Sequence, residues 1–149
     1  MKIFIKLALV FAIIISITSC GNSNTETKNT ETMKHDDGFE LNSQKIYVFY
    51  FHGSIRCHTC VAVDEYTMQY LNDLFPNEIK EEQIIYNSYD IDKGEGAKFV
   101  DKYEIYGQTM LFIKNNTVIN KTDDAFLYAS NNTDKWKQIV DETINNLLK

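Results

Sequence analysis

A chain of 149 residues has room for one domain around a single core. Its 21 acidic side chains outnumber 15 basic ones and no Lys/Arg cluster offsets them, so a polyphosphate backbone is repelled and nucleic acid is set aside as a partner. Only three cysteines are present, at positions 20, 57 and 60, too few for a disulfide framework.

The first nineteen residues read as an export signal. Met1 to Lys6 carries two lysines, Leu7 to Ile17 is apolar apart from Ser16, and small residues precede Cys20. The apolar run is shorter than the roughly 20 residues a spanning helix needs. A cysteine in this place resembles the bacterial lipobox, which implies cleavage before Cys20 and a lipid on its thiol and new amino terminus. The alternative is an uncleaved signal anchor, and either reading puts the domain outside the cytoplasm, in the periplasm or on the surface. Residues 20–44 are then the lipidated cysteine and a polar tether with too little apolar surface to offset its ordering entropy. His35-Asp36-Asp37 within it has no second ligand cluster nearby and reads as solvated linker.

Residues 45–149 carry the apolar pattern. Ile46 to Phe51 is β-branched and aromatic without alternation, which predicts a strand covered on both faces. His52-Gly53-Ser54 breaks it. From about Cys57 to Phe75, Val61, Met68, Leu71 and Phe75 recur near helical spacing until Pro76 stops the run. Ile84-Ile85-Tyr86 opens a second strand that trails into Asp90-Ile91-Asp92. Gly94 and Gly96 lead into a short helix bearing Phe99, Val100 and Tyr103. Met110 to Ile113 is a third strand, joined through Asn115-Asn116 to Thr117-Val118-Ile119 as a hairpin. The last helix has Thr133 as its N-cap candidate, with Trp136, Ile139, Val140, Ile144, Leu147 and Leu148 on one face. This order predicts an α/β domain, a β-α-β unit followed by a hairpin and a closing helix, with one mixed sheet between helical layers.

The chemistry-bearing motif is Cys57-His58-Thr59-Cys60, where the first strand gives way to the first long helix. With Cys20 assigned to the lipid, these two sulfurs form the remaining pair in an exported chain, where disulfides persist. A bridge over so short a loop constrains the unfolded chain little, which points to a reactive pair. A helix N-terminus offers unpaired amides and the positive end of the macrodipole, both favouring thiolate, and Arg56 and His58 add to this. Cys57 is expected to attack and Cys60 to resolve the mixed disulfide, with no cofactor required.

These residues resemble the thioredoxin superfamily over Lys45 to Lys149, which implies a three-layer sandwich. More narrowly, Tyr50-Phe51-His52-Gly53, Arg56 to Cys60 and Glu65-Tyr66-Thr67 resemble the ArsF-type thioredoxin-like proteins, labelled as subunits in nitrophenyl compound nitroreduction. Two departures stand out. The loop that carries a cis-proline in thioredoxins reads Gln108-Thr109 here, and Pro76 is the chain's one proline. The carboxylate that thioredoxins bury beneath the dithiol has no counterpart at Phe49 or Phe51.

Three functions compete. A thiol–disulfide oxidoreductase would exchange with protein or small-molecule thiols and disulfides and be reset by a redox donor, its membrane contact being the lipid. A metal-binding or delivery module would use Cys57 and Cys60 with His52 or His58, a set short of two full ligand pairs. A binding subunit would keep the fold and use the dithiol weakly or not at all.

Overall fold

The computed structural model describes residues 40–149; the segment read as an export signal, the expected lipidation site Cys20 and the rest of the chain up to residue 39 lie outside the described residues. Strand β1 (Ile46–His52) is central because its sequence leaves no polar face to turn to water, and all but Tyr47 are buried. It pairs in parallel with β2 (Ile84–Asp90) and antiparallel with β3 (Thr109–Lys114), which pairs antiparallel with β4 (Thr117–Asn120), giving the order β2-β1-β3-β4. Asn115 takes a positive φ of 54° in the hairpin turn, a conformation asparagine tolerates better than most residues.

Successive strand residues point to opposite faces, and the core divides accordingly. Ile46, Val48, Tyr50, Met110 and Phe112 face the larger cluster, covered by α1 (His58–Leu74), α4 (Thr122–Tyr128) and α5 (Thr133–Leu148). Phe49, Phe51, Leu111 and Ile113 face a smaller, aromatic cluster covered by α3 (Ala97–Lys102) through Phe99. Helices lie on both faces, an α/β sandwich whose mixed sheet is compatible with the expected thioredoxin-like fold. Leu41 packs onto the smaller cluster, so the domain's contacts reach back beyond Lys45.

Several expectations change. The inner face of α1 is Cys60, Val63, Thr67 and Leu71; Met68 is 51% exposed and Val61 only half-buried, because the buried second cysteine sets the helical phase. Pro76 ends α1 and also opens α2 (Pro76–Lys80), where the fixed φ and missing N–H cost nothing in a first turn. Helix α4 follows β4 unannounced: Asp123 and Asp124 favour its N-terminus, while the small Ala125 and Ala129 are its buried contacts. The N-cap of α5 is Asn132, whose side chain accepts from Lys135 N at 3.2 Å, so Thr133 is the first helical residue. Leu148 is 37% exposed at the fraying end of α5.

Trp136 is fully buried between α1 and α5, and its indole N–H donates to Thr67 Oγ1 at 3.1 Å. That hydroxyl donates onward to the Val63 carbonyl. Gly96, at φ 64°, lies so close to Tyr89 that a Cβ there would fall 2.8 Å from the ring. No helix among the described residues is long and apolar enough to cross a membrane.

Candidate functional site

The dithiol occupies the first turn of α1. Cys57 is the N-cap, with extended backbone at φ −79° and ψ 164°, and its sulfur accepts from Cys60 N at 3.1 Å. Cys57 and Cys60 form a disulfide with their Cα atoms 5.0 Å apart. Cys57 is exposed, and Cys60 is wholly buried. The cap therefore aims an unpaired amide at the outer sulfur, the donor that also steadies a thiolate there. His58 is exposed beside it. Thr59 turns the other way, its Oγ1 3.4 Å from Ser130 Oγ, which ties the dithiol turn to the loop before α5.

Arg56 does not spend its charge on Cys57. Its long stem folds back along α1, placing Nη2 2.7 Å from Asp64 Oδ2 and 3.0 Å from the Cys60 carbonyl, which accepts from it. The guanidinium also lies 5.8 Å from the centre of the Tyr50 ring. Asp64 accepts further hydrogen bonds, from the Tyr86 hydroxyl to Oδ1 and from Ser88 Oγ to Oδ2 at 3.0 Å. Burial, reinforced by Asp64, holds the Tyr86 hydroxyl far above the usual tyrosine range. Burial likewise pushes Tyr50 up to about 12, against the opposing charge of Arg56. Neither Tyr50 Oη nor Arg56 Nε has a partner of strict hydrogen-bond geometry among the described residues.

Phe49 and Phe51 carry no carboxylate and point to the opposite face of the sheet. Asp64 supplies a partly buried carboxylate from α1 instead, one turn beyond Cys60, and sequence reasoning missed it. A signal was present: Tyr86 and Ser88 alternate along β2, which puts two hydroxyls on the strand face toward α1, and Asp64 follows Cys60 at helical i+4 spacing.

The loop between β1 and the dithiol is fastened to the end of β2. Ser54 Oγ donates to Asp90 Oδ2 at 2.8 Å, and Ser54 N donates to Asp92 Oδ2 at 2.8 Å. Lys93 Nζ lies 2.7 Å from Asp90 Oδ2, and its hydrogen bond, with that of Ser54, holds the Asp90 carboxyl below its ordinary range. Asp90 N donates in turn to Glu95 Oε2. A Cβ on Gly53 would come 3.0 Å from Asp92 Oδ2, so a larger residue there would push that carboxylate aside.

His52 is buried, with Nδ1 2.9 Å from the Gly53 carbonyl and its ring 5.6 Å from that of Tyr50, so it packs rather than projects. Among the described residues, no group of three or more His, Cys, Asp or Glu side chains is arranged to hold a metal ion; Cys57, Cys60, His52 and His58 do not converge into one. Thr109 pairs with Phe51 at the start of β3, at the end of the sheet from which the dithiol loop departs. Its Oγ1 donates to the Gly107 carbonyl at 3.1 Å, and Gln108 is exposed beside it. Ile55 and Tyr106, on the two loops leaving this end, are 91% and 93% exposed.

No protein-family model matches the chain, and no curated protein does. Among solved structures, one described as the structure of a malarial protein is similar at a TM-score of 0.42 and 18% identity, covering 63% of this chain and 96% of its own. A likeness at that level bears on neither the site nor its chemistry.

Proposed function

We propose that this chain is a membrane-anchored, extracytoplasmic thiol–disulfide oxidoreductase that works through Cys57 and Cys60. One observation carries the reading: two cysteines at disulfide distance divide one helix turn between them, the first exposed at the N-cap and the second sealed beneath it. An exposed sulfur that accepts from an amide of the helix N-terminus is suited to attack, and an enclosed neighbour to resolution. In the reductive direction, Cys57 thiolate attacks a client disulfide and expels one client thiolate, leaving a mixed disulfide. The Cys60 sulfur then attacks Cys57, forming the internal bond and releasing the second client thiol. A thiol donor returns the pair to the reduced form. Cys20 carries the anchoring lipid in this reading.

The test is exchange with a model protein disulfide by the purified full-length chain. Cys57→Ser is expected to abolish exchange, and Cys60→Ser to trap the client on Cys57 as a mixed disulfide visible by mass. Both cysteines resisting alkylation until a chelator is added would replace this reading with metal handling. Slow, equal alkylation without a chelator effect would replace it with a bystander binding subunit.

A further inference from the structure

The sheet ends in two edge strands, β4 with four residues and β2 with seven. A long edge is usually blunted by lysine or proline, and Ile84–Asp90 contains neither. Ile46 N donates to the Gln83 carbonyl at 2.7 Å, which fixes the phase of β2. Positions 83, 85, 87 and 89 turn their backbone groups to β1, and positions 84, 86, 88 and 90 turn theirs outward. At Asp90 the outward groups are taken. Asp90 N donates to Glu95 Oε2 at 2.8 Å, and Glu95 N donates to the Asp90 carbonyl at 3.0 Å. Glu95 thus fills the place of a neighbouring strand at that end. The outward N–H and C=O groups of Ile84, Tyr86 and Ser88 have no such partner among the described residues. Backbone groups of this kind form the template on which a further strand is added.

The surroundings say what kind of strand fits. On the α1 side, Tyr86 and Ser88 are tied to Asp64, and Met68, one turn beyond Asp64, is exposed on the same flank of the helix. On the other side, Ile85 and Tyr89 are half-buried. An added strand would therefore send alternate uncharged side chains to partly apolar ground on both faces. The ends of the edge are acidic. Exposed Glu81 and Glu82 precede β2, and exposed Asp92 and Glu95 follow it. Lys45 is paired with Glu82 and Lys93 with Asp90, which leaves Lys80 as the opposing cation there. A second copy paired antiparallel through β2 would set the acidic start of one strand against the acidic end of the other, so like charges oppose it.

We propose that the β2 edge is a strand-addition site for an extended segment of another polypeptide, uncharged over about five residues and carrying lysine or arginine at each end. Pairing with the outward backbone of Ile84, Tyr86 and Ser88 supplies the attraction. The acidic ends hold the basic flanks. Neither cysteine takes part, so the inference stands apart from the oxidoreductase reading.

The experiment titrates the full-length chain with a fluorescently labelled peptide of alternating valine and threonine, flanked at each end by lysine and arginine. Saturable binding is expected, with hydrogen exchange at the Tyr86 and Ser88 amides slowed about tenfold. The Ile85 and Asn87 amides, already turned to β1, should change little. Methylating the amide nitrogens of the valine–threonine core, or replacing the basic flanks by glutamate, should each weaken binding about tenfold or more. Ser88→Pro removes one outward N–H, and Glu81→Lys reverses one acidic flank; both should weaken binding severalfold. If Ser88→Pro fails to fold, Glu81→Lys and the modified peptides decide. Equal affinity for the methylated peptide, or unslowed Tyr86 and Ser88 amides, overturns the proposal. Protection of those two amides in the chain alone overturns it as well. Protection that rises with chain concentration would assign the edge to a second copy, and concentration-independent protection would assign it to the chain itself.

Discussion

Two acidic groups flank the dithiol loop, and they are built for different work. Asp64 lies beneath the helix, its side chain 18% exposed, ringed by an arginine and two hydroxyls from β2. Asp90 is buried as well, its side chain 6% exposed, but it and the exposed Asp92 accept from a serine side chain and a backbone amide, and the lysine paired with Asp90 is 67% exposed. In the first group both members of the ion pair are largely shielded from water, so each depends on the other. In the second, the cation is solvated while the Asp90 carboxylate is enclosed by the hydrogen bonds that shape Gly53 and Ser54. One group sets energies and the other sets geometry.

The contrast is broken most severely by Asp64→Ala, which leaves Arg56 half-buried and unpaired. Urea unfolding is expected to show a loss of about 2–3 kcal/mol, the lower end for a buried pair because both side chains keep some water. Ser54→Ala should cost about 1 kcal/mol and broaden the pH and temperature dependence of Cys57 alkylation as its loop loosens. Lys93→Ala should cost less than Asp64→Ala, because the lost ammonium is mostly solvated and Ser54 and the Asp92 amide still satisfy the Asp90 carboxylate. A cost for Lys93→Ala equal to that of Asp64→Ala would erase the distinction between the two groups.

The pH profile sharpens the same comparison. The Asp90 carboxyl titrates below its unfolded value, so its contribution is complete above the usual carboxylate range and is lost as pH falls through the lower folded value. Tyr50 and Tyr86 titrate above theirs, so their contribution is complete below about pH 10 and is lost as pH rises. Asp90→Asn should therefore flatten only the acid limb of the stability curve, and Tyr86→Phe only the alkaline limb. Crossed effects would show that the two groups are coupled through the loop.

The sheet and the dithiol turn were legible because their signals are local. An unbroken apolar run from Ile46 to Phe51 has few places to go but the centre of a sheet, and a Cys-x-x-Cys after it falls at a helix start. The phase of α1 was not legible. Val61, Met68, Leu71 and Phe75 form a plausible stripe, yet burial of Cys60 rotates the helix so that Thr67 points inward to an indole and Met68 outward. Helix α4 escaped notice because its fully buried contact is the small Ala125, while its larger Phe126 and Tyr128 pack only in part. The Arg56–Asp64–Tyr86 network was hidden for a different reason. Its members come from three separate segments and meet only after β2 is laid beside β1, and no spacing rule joins residues 56 and 86.

The seam between α1 and α5 equips the native chain with its own optical reporter. Trp136 is the single tryptophan, and its indole is sealed from water with its N–H bound to Thr67. Its emission should lie toward the blue in the folded chain and move to the red when α1 and α5 part, giving an unfolding trace free of contributions from other indoles. Thr67→Val would remove the acceptor while roughly keeping the shape. A change in the spectrum of that folded variant, with an unfolding trace still cooperative, would separate the influence of one hydrogen bond on the fluorophore from the loosening of the helices around it.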